Sequence, residues 1–95
     1  MITKIIKEYR AHMEAIGEKY NVEHLSELLE MVDGLHTEDA LKALYTEEDR
    51  LKTAKAALDV RSGKDLVEHG VLWTRELNVR DVIKAATGVL MDRLS

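Results

Sequence analysis

Residues 2–20 read ITKIIKEYRAHMEAIGEKY, and Ile2, Ile6, Tyr9, Met13, Ile16 and Tyr20 recur in it with spacing 4-3-4-3-4. That period puts all six on one face of a helix of about five turns, with Ile5 widening the stripe. A strand would need alternation with period two, which is absent. The stripe predicts a core-facing helix of a bundle. The same spacing also describes a coiled-coil seam just under three heptads long, so these six residues are a possible dimer seam.

The composition supports helices throughout. The 95 residues hold no Pro, no Phe and no Cys, with one Trp and three Tyr. A core must then be made of Leu, Ile, Val, Ala and Met, a palette poor in the aromatic side chains that strands favour. Without Pro there is no obligatory helix break. Without Cys there is no disulfide framework, no Cys-based zinc site and no thiol nucleophile. The length fits one domain spanning 1–95. The first ten residues, MITKIIKEYR, carry early charges and no long apolar run. They match neither a signal peptide nor a membrane span, so a cytoplasmic location is expected.

Downstream of a turn expected at Asn21, Leu25, Leu28, Leu29 and Val32 form a second apolar stripe, with Met31 beside it. Asp33-Gly34 should end it, since glycine accepts a left-handed backbone. Thr37 is placed to cap the next helix, with Glu38 and Asp39 in its first turn, where the helix dipole favours anions. Ala40, Leu44, Leu51, Ala54 and Leu58 continue as one face, flanked by Leu41. Thr46-Glu47-Glu48-Asp49 also reads as a fresh cap, but one helix over 38–61 is the expectation. Ser62-Gly63 is the strongest internal break. Beyond it Leu66, Val67, Gly70, Val71, Trp73, Thr74 and Leu77 follow helical spacing. Asn78, in a box-like arrangement with Asp81, is expected to cap a last helix that buries Val79, Val82, Ile83, Ala86, Val89 or Leu90, and Leu94. The fold class is all-α: a compact bundle of about five short-to-medium helices with short loops.

No chemistry-bearing constellation emerges. His12, His24 and His36 lie twelve residues apart, which is not a ligand spacing on a helix, and no His-Glu-x-x-His is present. The histidines are expected on the solvated surface, with no metal and no cofactor. Ser26 and Ser62 sit outside any Gly-x-Ser-x-Gly elbow, and the five glycines are scattered singly, which excludes a phosphate-cradling loop. The expectation is a protein that is not an enzyme. The segment 78–95 resembles the start of a helix-turn-helix reader, a capped helix with Val and Ala on its inner face meeting Gly88-Val89. It has one residue more than the motif between Ala85-Ala86 and that glycine, and it stops where a recognition helix would continue. Read without the motif, it is an amphipathic last helix running through Gly88. Arg75, Arg80, Lys84 and Arg93 would supply few phosphate contacts, so nucleic acid is not the expected partner. The polar face of the first helix mixes Lys4, Lys7 and Arg10 with Glu8, Glu14 and Glu18, which does not suit a membrane surface.

Charge layout is the remaining signal. The net charge is −4, yet residues 21–49 carry nine carboxylates against Lys42 alone. Glu23, Glu27 and Glu30, spaced i, i+4, i+7, form one row opposite the leucines of their helix. Like charges at that spacing destabilise a helix, a penalty that binding would justify. The functional expectation is a small non-catalytic protein-interaction module: an inhibitor, adaptor or assembly factor, regulatory in role. It would dock a basic partner through Glu23, Glu27, Glu30, Asp33, Glu38 and Asp39, and it is expected to form a homodimer. The alternatives are a DNA-binding regulator that uses 78–95 and a structural subunit of a larger assembly such as a viral particle.

Overall fold

The computed structural model describes residues 1–59 and 61–94, without the side chains of residues 93 and 94. The expectations for Arg93 and for burial of Leu94 therefore lie outside the described side chains. Four helices follow in order: α1 (Ile2–Ala15), α2 (Lys19–Val32), α3 (Thr37–Ala56) and α4 (Gly63–Leu94). α1 pairs with α2 and α3 with α4, and the two hairpins meet along α1–α4, α2–α3 and α2–α4 seams. At about 1.5 Å per residue a helix of α4's length spans about 48 Å, which accounts for the 47 Å long dimension of the molecule. No strand occurs among the described residues.

The first turn comes earlier than expected, at Gly17 rather than Asn21. Gly17 has φ +78°. The Glu18 amide donates to the Met13 carbonyl (2.9 Å) and the Gly17 amide to that of Glu14 (3.2 Å). This is a Schellman close, which satisfies carbonyls that a helix end otherwise leaves open. The stripe therefore splits. Ile2 and Ile6 are buried in the chain's own core, Tyr9 and Met13 are half-buried, and Ile16 and Tyr20 are exposed beyond α1's end. Ile2 and Ile6 are accordingly not free to form a seam with a second copy.

Asp33-Gly34 ends α2 where expected, as a type II turn. Asp33 is extended (φ −60°, ψ 132°), Gly34 has φ +77°, and the Leu35 amide reaches the Val32 carbonyl at 3.1 Å. α3 starts one residue early, with His36 at its N-cap and no side-chain capping bond, so Thr37 lies inside the first turn. Glu38 and Asp39 occupy that turn as expected. α3 is one helix, as expected, but it ends at Ala56 and not at residue 61, and its internal capping residues are otherwise engaged. Thr46 Oγ1 donates to the Lys42 carbonyl at 2.9 Å, while Glu47 and Glu48 pair with Arg50 and Lys52.

The core is aliphatic: Ile2, Ile5 and Ile6; Leu25, Leu28 and Val32; Ala40, Leu44 and Leu51; Leu72, Val79, Val82, Ile83 and Ala86. Of two expectations for residues 63–94, the new helix start at Asn78 is corrected and the helix through Gly88 holds. The helix does not restart at Asn78, and it runs on through Gly88 without the turn that a helix-turn-helix requires. The inward face of α4's first half is Leu72 and Glu76, leading to Val79. Leu66, Val67 and Trp73 point outward, at 56, 70 and 43% exposure.

Candidate functional site

The six expected acidic contact residues all reach the surface. Glu23, Glu27 and Glu30 lie along the outer side of α2, Asp33 is its C-cap, and Glu38 and Asp39 open α3. Glu27 Oε2 lies 3.8 Å from Arg75 Nη1. Among the described residues none of the other five has a cation within 4 Å. Lys7 shares a shallow groove with Glu30 and Asp33, and Lys19 shares one with Glu23, so the row is bordered by cations without being neutralised by them.

Behind the row lies a buried polar seam that the sequence reading missed. His24, expected in solvent, is 3% exposed, and Asn78, expected as a cap, is 7% exposed. Asn78 Nδ2 donates to Asn21 Oδ1 at 3.0 Å and to His24 Nδ1 at 3.1 Å. Both amide hydrogens are thus used, and His24 is the neutral imidazole with its proton on Nε2. Burial, with the Arg75 guanidinium second, lowers the His24 pKa to about 4, against weaker opposing pulls from Glu27 and Glu47. Arg75 Nε donates to the Tyr20 hydroxyl at 2.6 Å, a bond that strengthens the guanidinium's hold on its proton. Among the described residues no fully buried side-chain nitrogen or oxygen lacks a partner.

A second buried polar contact joins α3 to α4. Lys55 Nζ donates to Glu76 Oε2 at 2.6 Å and sits 4.2 Å from the centre of the Trp73 ring. The Glu76 side chain is 3% exposed, the Lys55 side chain 19%. A polar residue on an inward face was the available signal for both features. His24 lies four residues before Leu28, Asn78 four before Val82, and Glu76 four after Leu72. Each therefore shares a face with a buried aliphatic.

His12 and His36 are exposed, and no group of three or more His, Asp or Glu among the described residues is placed to hold a metal ion. An open groove of about 330 Å³ runs between α1 and α4, lined by Ile5, Glu8, Tyr9, His12, Ala85 and Val89. No helix among the described residues is long and apolar enough to cross a membrane. No family, curated protein or solved structure matches the chain.

Proposed function

We propose that this protein is a small non-catalytic interaction module that engages a partner with a basic surface through Glu23, Glu27, Glu30, Asp33, Glu38 and Asp39. The observation that carries the reading is the state of those carboxylates: all six are exposed and five have no ion-pair partner among the described residues. Helix stability alone would favour pairing them, as it pairs Glu47 with Arg50 and Glu48 with Lys52 on α3. Complementary charge of this kind accelerates encounter and is screened by salt over a Debye length of about 8 Å at physiological ionic strength. The role that follows is occupation or bridging of the partner, as an inhibitor, adaptor or assembly factor.

The test is a double charge reversal, Glu27→Lys with Glu30→Lys, run beside wild type in affinity capture at low and high salt. Both positions are exposed, so the variant keeps its helical circular dichroism. A basic protein held by wild type at low salt, released by salt and lost from the variant supports the reading. Identical capture profiles for a folded variant overturn it.

A further inference from the structure

The α2–α4 seam has two unlike ends. At one end the ties are polar: Tyr20 to Arg75 (2.6 Å), Asn21 to Asn78 (3.0 Å), His24 to Asn78 (3.1 Å) and Glu27 to Arg75 (3.8 Å). At the other end Leu28 and Val32 join the common core with Val82, Ile83 and Ala86, and Leu25 is the one α2 core residue that lies beside the polar ties. The polar end depends on His24 Nδ1 being an acceptor, because the Asn78 amide facing it can only donate. Rotating that amide by a half turn would set its oxygen against Asn21 Oδ1, so a proton on Nδ1 is accommodated only if both amides rotate. Even then a cation would be buried beside Arg75.

We propose that the polar end of this seam is an acid-opened latch: a proton on His24 Nδ1 displaces the Asn78 bond, and the first half of α2 parts from α4 about the apolar end. The charges facing His24 define its balance. Glu27 lies on α2 itself, Arg75 on α4, and Glu47 and Arg50 on α3. From α1, Arg10 Nη1 donates to Ser26 Oγ at 3.4 Å, two residues along α2 from His24. Glu27 and Glu47 both favour an imidazolium, but Glu47 is engaged by Arg50 and Glu27 lies 3.8 Å from Arg75, and burial together with Arg75 outweighs them. The sign follows from the two states. The closed form binds the proton with pKa about 4, and the open form near the ordinary 6.5. The contribution of His24 to closure is therefore full above about pH 6.5 and is lost progressively as pH falls towards 4. Between pH 7.5 and 5 the opening constant rises about 30-fold.

Native-state amide exchange, corrected for intrinsic chemistry, tests this on the full chain. In wild type the amides of residues 23–27, whose helical bonds fray once this part of α2 loses its packing, should exchange about 30-fold faster at pH 5 than at pH 7.5, through an opening less urea-sensitive than global unfolding. The amides of Leu44, Leu51 and Val82 should remain slower and follow urea-sensitive global unfolding. His24→Asn retains an acceptor near the Nδ1 position but cannot take up a proton, and should lose the acid acceleration. Asn78→Asp provides a second arm: its carboxylate accepts from Nδ1–H in the neutral tautomer and in the imidazolium alike, with Asn21 rotating to donate, so acid no longer breaks the contact and the acceleration at 23–27 should be lost. Exchange of 23–27 only by global unfolding, or acid acceleration persisting undiminished in His24→Asn or in Asn78→Asp, would each overturn the latch.

Discussion

Replacing Lys55 with Met removes one half of a buried ion pair and should be among the most damaging single changes outside the aliphatic core. Glu76 is left with its side chain 3% exposed and the 2.6 Å partner gone. Breaking a buried pair in this way costs about 3–5 kcal/mol, because the surviving charge is neither solvated nor compensated. Lys55 keeps 19% side-chain exposure, so water relieves part of the penalty and about 3 kcal/mol is expected. Loss of the ammonium over Trp73 contributes about 0.5–1 kcal/mol of that. For a domain whose total stability is about 5–15 kcal/mol, this is a large fraction. Glu76→Leu should be milder, since a lysine near the surface can extend its ammonium to solvent while burying its stem. Lys55→Met with Glu76→Leu should lie within about 1 kcal/mol of wild type or above it, because two apolar chains of similar volume need no desolvation of charge. Urea unfolding of the four proteins, followed by circular dichroism, gives the cycle directly. A loss below about 1 kcal/mol for Lys55→Met, or a double variant as unstable as the two singles added together, would refute the reasoning.

Glycine substitutions should divide by sign, measured as shifts in thermal midpoint. Gly17→Ala should destabilise by about 1–2 kcal/mol through its left-handed backbone alone, since an added Cβ meets no atom within 4 Å. Gly88→Ala, in an equally open position inside α4, should instead stabilise by about 0.5–1 kcal/mol. Thr37→Ala should change stability by less than about 0.5 kcal/mol, because no side-chain bond caps α3. A loss near 1 kcal/mol would restore Thr37 as its cap.

The apolar period carried most of the fold. Leu25, Leu28 and Val32 on α2, Ala40, Leu44 and Leu51 on α3, and Val79, Val82, Ile83 and Ala86 on α4 are buried as their spacing requires. Asp33-Gly34 was legible because a type II turn needs the residue found there. Less legible was where a helix stops when glycine competes with continuing periodicity. Ile16 and Tyr20 extend the stripe of α1, yet the positive φ at Gly17 closes the helix before them. Exposure of the acidic row could be read from sequence, because glutamates opposite leucines have nowhere else to go.

Sequence alone thus determined the helical class, the aliphatic core and the outward carboxylates, all consequences of local period and side-chain solvation. Tertiary structure decided the roles of Asn78, His24, Glu76 and Lys55. Asn78 has the chemistry of a helix cap and is instead held inside a continuous α4 by Asn21 and His24, more than fifty residues away in sequence. Glu76 faces inward because Lys55 of another helix meets it there. A polar side chain can be buried only when a partner is brought to it, and that partner is supplied by packing between helices rather than by neighbours along the chain.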